Sequence, residues 1–167
     1  SAIGKDNIGT QIEKIIKKIK NNTVYLFKEN NKLSTIKTRY SVNGQQLIRV
    51  DEENIKNFSP SVYKSILKSF KKEILKHNVV ILSDYNKGIF NKRLTSELIR
   101  LSNQNKIPII IDPKNKDFSF YQNAFLITPN QLETAQITNL PCNNNKEAEL
   151  CGENIIKKFS VKSVLIT

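Results

Sequence analysis

The sequence has few of the side chains that bind soft metals or build hydrolytic active sites. Its 167 residues include two cysteines, Cys142 and Cys151, and a single histidine, His77. A structural zinc site usually takes four such ligands at tight spacing, so none is predicted. His77 follows a lysine-rich helix end, where helix capping explains it better than a Ser-His-Asp catalytic set does. We interpret the two cysteines as buried thiols in a reducing compartment, in preference to a disulfide.

Long apolar runs and glycine-rich phosphate loops are also missing. No run approaches the roughly 20 residues that a membrane span requires, and residues 1–10 lack the apolar core of a signal peptide. The sequence contains neither G-x-x-x-x-G-K-S/T nor G-x-G-x-x-G, so the familiar nucleotide-binding folds are not supported. Apolar residues make up 38% of the chain, which is typical of a globular protein. These features predict one soluble, cytoplasmic domain with no membrane partner.

Acidic side chains are scarce relative to basic ones. The 27 lysines and arginines stand against 15 aspartates and glutamates, which gives a net charge of +12. Such an excess can mark a nucleic-acid partner. Only four of the basic residues are arginine, however, and many lysines fall on the polar faces of amphipathic helices. We attribute the charge to solvated helix faces and to the codon usage of an AT-rich genome, with a basic nucleic-acid-binding module as the alternative function.

The apolar pattern predicts alternating helices and strands. Helical spacing of isoleucines predicts an amphipathic helix over 7–20, preceded by the end of a strand. Asn43-Gly44 predicts a two-residue hairpin turn, because both turn positions need positive φ, and Ser59-Pro60 is typical of a helix start. Further strands are predicted at 23–27, 79–83, 107–112, 124–128 and 161–167, with helices at 91–104, from residue 130 and at 146–159. Short apolar strands separated by helices indicate an α/β fold, with a parallel sheet covered on both faces.

Polar side chains follow three of the predicted parallel strands. In chain order they are Asp84 and Tyr85 with Lys87, then Asp112 and Lys114, then Asn130 and Glu133. Open parallel sheets bind ligands at the carboxyl ends of their strands. Lysines attract anionic oxygens there, and carboxylates and an amide suit hydrated magnesium. Asn130 and Glu133 also lie at a helix N-terminus, which favours phosphate.

Plainer interpretations of the same residues stay open. The segment around Asp84 is also compatible with a solvated strand-to-helix turn. Asn130 is also a good helix cap, and Glu133 three residues later completes the pattern of a capping box. One residue can serve both as a cap and as a ligand, so these alternatives do not exclude a phosphate site.

The predicted hairpin carries a pair of cations. Lys37 and Arg39 are two residues apart on one strand, so both side chains lie on the same face. A guanidinium beside an ammonium suits a sugar phosphate, although exposed strands are often basic for solubility alone. With a plain two-residue turn, Gln46 shares the face of Arg39, whereas Arg49 and Asp51 lie on the other face.

Five segments, in this order and spacing, closely resemble the ribokinase-like (PfkB) sugar kinases. They are STIKTRY at 34–40, QQLIRVDEE at 45–53, LSDYNKG at 82–88, IDPKNKDF at 111–118 and LITPNQLE at 126–133. Within the family, the similarity is closest to the heptose 7-phosphate kinase domains, which are usually fused to an adenylyltransferase. The resemblance implies a three-layer α/β fold with a mostly parallel sheet and a β-hairpin lid region.

The resemblance also implies a reaction and a set of site residues. The parent protein is expected to transfer the γ-phosphate of ATP, with Mg²⁺, to the anomeric hydroxyl of a heptose 7-phosphate, a step towards ADP-heptose and lipopolysaccharide. It is also expected to be a homo-oligomer, with nucleic acid an unlikely partner. The residues implied for ATP phosphates are Lys114, Asn130, Gln131, Leu132 and Glu133, with Asn130 and Glu133 also organising Mg²⁺ indirectly. Those implied for the sugar phosphate are Lys37, Arg39, Asp84, Tyr85 and Lys87.

The chain departs from the family pattern at both ends. The G-A-G-D element that carries the family's catalytic aspartate is expected after Thr167, and the sugar-binding segment with paired glycines is expected before Ser1. We therefore expect residues 1–167 to be the central part of one kinase domain, incomplete at both ends. No catalytic base is assigned within the chain, and the chain by itself is expected to be inactive.

Overall fold

Two units divide the chain in the computed structural model, which describes residues 1–20 and 23–167. Unit 1 comprises Ser1–Ile66 together with Lys87–Ile89, and unit 2 comprises Leu67–Asn86 together with Phe90–Thr167. Across the described residues, no helix is both long enough and apolar enough to cross a membrane.

Unit 1 begins with a strand and a capped helix. Strand β1, Ala2–Gly4, pairs in parallel with β2, Phe27–Glu29, and helix α1 spans Asn7–Lys17 between them. Asp6 caps α1, with its Oδ1 accepting the Gly9 N–H at 2.6 Å. The helix ends three residues earlier than predicted, because the N–H groups of Lys18 and Ile19 bond to carbonyls three residues back, which tightens the last turn.

The position predicted for the second strand is wrong by several residues. A strand was expected over 23–27, but residues 23–26 lie outside any strand and β2 starts at Phe27. The short partner strand explains the shift, since β1 offers a ladder of only three residues and pairs them with Phe27–Glu29. The strand end predicted before helix α1 is confirmed, since β1 spans Ala2–Gly4.

The hairpin predicted around Asn43-Gly44 is confirmed. Strand β3, Ile36–Val42, pairs antiparallel with β4, Gln45–Glu52, and the turn residues have φ of 50° and 81°. A β-bulge between Tyr40 and Ser41 shifts the register, so that Arg39 lies opposite Arg49 and Lys37 lies opposite Asp51. The prediction that Arg49 and Asp51 lie on the other face is therefore wrong. A bulge inserts one extra residue and moves everything beyond it to the opposite face.

Helix α2 and the parallel sheet account for much of the remaining regular structure. Helix α2 spans Pro60–Glu73, beginning at the predicted proline, and a short 3₁₀ turn covers Ile74–Lys76. The sheet has the strand order β5-β6-β7-β8, all parallel. Its strands are β5 Val80–Ser83, β6 Ile109–Asp112, β7 Leu126–Ile127 and β8 Ser163–Val164. The helices between them are α3 Lys92–Gln104, α4 Gln131–Thr138 and α5 Asn145–Phe159, with a 3₁₀ turn at Phe118–Tyr121.

The core of unit 2 lies on one face of this sheet. Ile109, Ile111 and Ile127 are fully buried, and Leu98 of α3 and Ile155 of α5 are 2% and 0% exposed. Each such side chain stabilises the fold by roughly 1.5–3 kcal/mol through removal from water. On the other face, Ile81 of the edge strand β5 is 67% exposed. The prediction of burial on both faces is therefore wrong at β5.

Candidate active site

The carboxyl ends of β5, β6 and β7 lie side by side, as the sequence predicted. The ladder between β5 and β6 continues one residue beyond the strand, where the Asp84 N–H donates to the Asp112 carbonyl at 3.1 Å. The Thr128 N–H, directly after β7, donates to the Ile111 carbonyl at 3.0 Å. Because neighbouring parallel strands end at one edge of the sheet, the residues that follow them share that edge.

Lys114 and Glu133 form an ion pair at this edge. The Lys114 ammonium donates to Oε1 of Glu133. This hydrogen bond, followed by the negative charges of Glu133 and Asp112, raises the pKa of Lys114 in spite of its partial burial. Lys114 is therefore a fixed cation at the carboxyl edge. Tyr85 lies at the same edge and is 67% exposed.

Asn130 and Glu133 form a complete capping box at the start of α4. Oδ1 of Asn130 accepts the Glu133 N–H at 2.8 Å, and Oε2 of Glu133 accepts the Asn130 N–H at 2.9 Å. The capping interpretation is thus confirmed. It does not remove the ligand interpretation, because each carboxylate oxygen can accept more than one hydrogen bond.

The first turn of α4 keeps one free donor. The Gln131 N–H donates to the Thr167 carbonyl at 3.0 Å, and the Thr134 N–H donates to the Asn130 carbonyl at 2.9 Å. With the Glu133 N–H capped, the Leu132 N–H has no acceptor within the described part of the chain. An anion at this helix end can therefore receive one backbone hydrogen bond in addition to the attraction of the helix dipole.

A cavity of about 460 Å³ adjoins these groups. Its volume falls in the range of sites for small ligands, roughly 300–1,000 Å³. The lining residues are Lys114, Asn115, Lys116, Phe118, Asn130, Leu132, Glu133, Gln136 and Ile137. Lys114 and Leu132, the residue with the free N–H, are therefore both among the residues that line a space of the size of a small-ligand site.

Asp84 is a buried carboxylate with two hydrogen-bond donors. It is 3% exposed. Its Oδ2 accepts the Tyr121 hydroxyl at 2.6 Å, and its Oδ1 accepts the Asn86 N–H at 2.7 Å. The Tyr121 oxygen in turn accepts the Asn115 N–H at 3.1 Å, next to Lys114. Asp84 and Tyr121 therefore link the end of β5 to the segment that follows β6.

Tyr121 was missed by the sequence reasoning. It lies in the stretch after β6 that was interpreted as irregular, where the structure has a 3₁₀ turn. Only its aromatic character hinted at burial, and its partner Asp84 lies 37 residues earlier.

Replacing Tyr121 by phenylalanine is expected to lower the free energy of unfolding by about 1–3 kcal/mol, because Oδ2 of the buried Asp84 loses its donor. Burial, followed by the hydrogen bond to Asp84, raises the pKa of Tyr121 above its ordinary value of 10.0. The unfolded chain therefore loses the tyrosine proton before the folded chain does. The stabilisation by Tyr121 is complete below about pH 10 and is lost as the pH rises above that value.

Urea unfolding of wild type and Tyr121→Phe between pH 7 and pH 11 tests both expectations. The stability difference should be constant up to about pH 10 and should narrow above it. Tyr40→Phe is the control, because Tyr40 is 54% exposed on the hairpin. A difference that grows with pH would contradict the assignment.

Unit 1 contains the two cations predicted for a sugar phosphate. Nζ of Lys37 lies 3.0 Å from Oδ2 of Asp51, and Nε of Arg49 lies 2.8 Å from Oδ1 of the same carboxylate. Arg39 is exposed, and within residues 1–20 and 23–167 no carboxylate lies within ion-pair distance of it. Lys37 and Arg39 thus share a face, but only Lys37 is neutralised by the protein.

Lys87 is paired within unit 1. Its ammonium donates to Glu53, and its carbonyl accepts the Lys32 ammonium at 2.8 Å. Lys32 is buried, also donates to the Lys56 carbonyl, and lies 4.2 Å from the centre of the Phe58 ring. Desolvation by burial lowers the pKa of Lys32. Lys87 belongs to unit 1, whereas the other members of its motif, Asp84 and Tyr85, belong to unit 2.

The histidine and cysteine side chains of the described residues do not form a metal-binding cluster. Among the described residues, no group of three or more histidine, cysteine, aspartate or glutamate side chains is placed to hold a metal ion. Cys142 and Cys151 are buried, as predicted, and both are free thiols. Burial raises the pKa of Cys142, which keeps its thiol in the unreactive protonated form.

Solved structures define the class of fold. A point mutant of phosphofructokinase-2 from Escherichia coli superposes with a TM-score of 0.73 at 14% identity, over 99% of this chain and 53% of that chain. Ribokinase from Arabidopsis thaliana, complexed with ribose and ATP, superposes with a TM-score of 0.69 at 13% identity, over 99% of this chain and 53% of that chain. The predicted ribokinase-like α/β fold is confirmed.

The sequence match supplies the family. The model of the pfkB family of carbohydrate kinases matches residues 1–167, and the chain belongs to that family. A bifunctional protein HldE of Aliarcobacter butzleri is 33% identical over 167 residues, which is all of this chain and 35% of the relative. A bifunctional protein HldE of Campylobacter fetus is 32% identical over the same length, which is 36% of that relative. The chain thus spans about a third of the length of these relatives.

Proposed function

We propose that the chain is the central part of a kinase that phosphorylates a heptose 7-phosphate at its anomeric hydroxyl, with ATP as co-substrate. One observation carries the proposal: Lys114, Asn130 and Glu133 converge beside a cavity at the carboxyl edge of adjacent parallel strands. The resemblance to heptose 7-phosphate kinase domains favours the heptose pathway that leads to ADP-heptose and lipopolysaccharide, and the relatives with matching sequences are bifunctional HldE proteins. Membership of the pfkB family supports sugar phosphorylation with ATP.

The edge cluster has the chemistry that the phosphates of ATP require. Lys114 supplies a positive charge, and the Leu132 N–H supplies a backbone donor at the positive end of the α4 dipole. Gln131 belongs to the same segment, but its N–H is held by the Thr167 carbonyl. We therefore assign phosphate binding chiefly to Lys114 and Leu132, with Gln131 shaping the turn.

The donor set fits magnesium that is held indirectly. Asn130 contributes an amide and Glu133 a carboxylate, and both oxygens of that carboxylate already accept hydrogen bonds. Mg²⁺ keeps several waters and is commonly bound through one or two carboxylates plus substrate phosphates. Asn130 and Glu133 would hold the ion in this way, and the ion would neutralise charge on the transferred phosphoryl group.

The sugar phosphate is assigned to the remaining candidates. Lys37 and Arg39 present cations on one face of the hairpin, where a phosphate dianion is attracted. Tyr85 is exposed and available for contact, and Lys87 is held by Glu53. Asp84 is assigned a positioning role, because its carboxylate is buried and bonded to Tyr121. A homo-oligomeric parent is also proposed, and a tetrameric form of phosphofructokinase-2 from Escherichia coli is among the structures with this fold.

A kinase assay on the complete gene product tests the proposal. Coupled ADP release is measured with Mg²⁺ and ATP against heptose 7-phosphate, the unphosphorylated heptose, fructose 6-phosphate and ribose. We expect kcat/KM to be highest for heptose 7-phosphate, with the new phosphate on the anomeric oxygen by NMR. Equal or greater kcat/KM for another sugar would contradict the heptose assignment, and release of ADP without a phosphorylated sugar would contradict sugar phosphorylation.

The isolated chain is expected to show no turnover in the same assay. The family resemblance implies that the catalytic aspartate lies in a G-A-G-D element, and residues 1–167 contain no such element. Asp84 cannot readily replace it, because that carboxylate is buried and engaged. Turnover near the roughly 1–10³ s⁻¹ of ordinary enzymes would show that a base lies within these residues, with Asp112 then the candidate to test by substitution.

A further inference from the structure

The bulge in the hairpin creates a charged face that a regular hairpin would not have. Beyond the bulge, Arg39 lies directly opposite Arg49, and Lys37 lies directly opposite Asp51. Directly opposite residues share a face of a two-stranded sheet, with Cβ atoms about 4.5–5.5 Å apart. One face of the hairpin therefore carries two guanidinium groups, one ammonium and one carboxylate.

The charges on this face are unbalanced. Asp51 accepts hydrogen bonds from both Lys37 and Arg49, and the hydrogen bond from Lys37 contributes most to lowering the pKa of Asp51. One carboxylate set against three cations leaves two positive charges uncompensated. Like charges directly opposite each other destabilise a strand pair. This hairpin therefore carries an electrostatic cost that a bound anion would relieve.

The contacts of Arg49 leave part of its guanidinium available. Its hydrogen bond to Asp51 uses Nε, and within the described residues neither of its two terminal nitrogens donates a hydrogen bond to a carboxylate. Arg39 has no carboxylate partner among the described residues. Two neighbouring guanidinium groups with unused N–H donors match the three oxygens of a terminal phosphate. The two uncompensated charges match the roughly −1.5 to −2 of a phosphate monoester.

We propose that Arg49 binds the terminal phosphate of the sugar substrate together with Arg39, and that Asp51 is a positioning residue that holds Arg49 and Lys37. The assignment of the anion to the sugar rests on the proposed function. It adds Arg49 and Asp51, which the sequence placed on the opposite face, to the site, and it makes a phosphorylated sugar the required substrate class.

The small number of arginines makes a direct test possible. The sequence has four, so the side-chain Nε–H signals of Arg39, Arg49, Arg93 and Arg100 can be resolved by NMR on the ¹⁵N-labelled chain. Heptose 7-phosphate, the same heptose without phosphate, and inorganic phosphate are titrated separately. We expect the Arg39 and Arg49 signals to move together with both phosphate-containing probes and to stay fixed with the unphosphorylated heptose. Arg100, which is paired with Glu97, and Arg93 serve as internal controls.

Substitutions then separate binding from positioning. Arg49→Gln should weaken heptose 7-phosphate binding about 10-fold to 100-fold, as expected for loss of hydrogen bonds to a charged group. Arg93→Gln removes the same charge outside the hairpin and should leave the affinity unchanged. Asp51→Asn should alter the Arg49 signal in the free chain before any ligand is added. Arg49→Lys should bind heptose 7-phosphate more tightly than Arg49→Gln but less tightly than wild type, because lysine lacks the planar guanidinium fork.

The outcomes distinguish this inference from the proposed function. If heptose 7-phosphate binds without moving the Arg49 signal, or if Arg49→Gln binds as wild type does, the inference is overturned while the kinase proposal stands. If no probe moves Arg39 and Arg49, the inference is likewise overturned, whatever the kinase assay gives. If both signals respond to phosphate but the complete gene product phosphorylates no sugar, the anion receptor stands and the kinase proposal fails.

Discussion

Replacing Glu133 by glutamine is expected to lower kcat of the complete kinase by about 10²–10³-fold, the usual effect of removing one preorganised electrostatic group from an active site. Glutamine keeps the shape of the side chain and can still accept the Asn130 N–H, so the capping box is preserved. The substitution removes the negative charge that pairs with the Lys114 ammonium. The same charge is the one that we propose to help hold Mg²⁺. Because both tasks concern the transferred phosphoryl group, the loss should appear in kcat more than in the KM for the sugar.

The control for Glu133→Gln is Glu153→Gln on α5. Glu153 is also a helical carboxylate paired with a lysine, but it is 61% exposed and lies outside the cavity at the sheet edge. Its substitution should leave kcat unchanged. Urea unfolding of both variants should differ from wild type by less than about 1 kcal/mol, the typical value of a helix cap. Full activity of a folded Glu133→Gln protein would restrict Glu133 to its capping role.

Much of the sheet and its edge could be predicted because the relevant signals are local. The apolar runs at 79–83, 107–112 and 124–128 mark strands that helices separate, and a parallel arrangement follows from those connections. The residues after each strand must then meet at one edge. The prediction that Lys114, Asn130 and Glu133 are neighbours is therefore confirmed, and the capping box was one of the two interpretations that the spacing of Asn130 and Glu133 left open.

The hairpin register could not be predicted because a bulge leaves no strong local signal. Asn43-Gly44 specifies the turn, and counting outward from a regular turn assigns faces correctly only as far as Ser41. One additional residue on β4 then reverses every face assignment beyond that point. Arg49 and Asp51 were placed on the wrong face for this reason alone, and neither was among the predicted site residues.

The partner of Asp84 was inaccessible to sequence reasoning for a different reason. Tyr121 lies 37 residues away, in a segment without apolar periodicity. A carboxylate after a buried strand is ordinarily expected to face solvent. Its burial becomes favourable only through hydrogen bonds that tertiary structure brings to it. The exposure of Ile81 is a similar case, since strand composition alone does not reveal which face of a sheet is covered.

Replacing Gly88 by alanine is expected to destabilise the protein by about 2–4 kcal/mol, through positive-φ strain combined with overpacking. Gly88 has φ of 81°, and a Cβ atom there would clash with the Lys56 carbonyl oxygen and stand 2.9 Å from the carbonyl carbon. That backbone cannot readily move, since the Lys32 ammonium holds the carbonyls of both Lys56 and Lys87. The Tyr63 hydroxyl also donates to the Gly88 carbonyl at 2.6 Å.

Gly44→Ala provides a matched control, because it separates backbone strain from the steric clash. Gly44 has the same φ of 81°, but a Cβ atom there would meet nothing within 4 Å. Its substitution should therefore cost only the conformational penalty, about 1 kcal/mol. Urea unfolding followed by circular dichroism measures both variants, and the excess loss at Gly88 reports the clash with Lys56. Equal losses of stability at the two positions would mean that the backbone of Ile55 and Lys56 moves to accommodate the new methyl group. The Lys32 ammonium would then not hold that backbone in place.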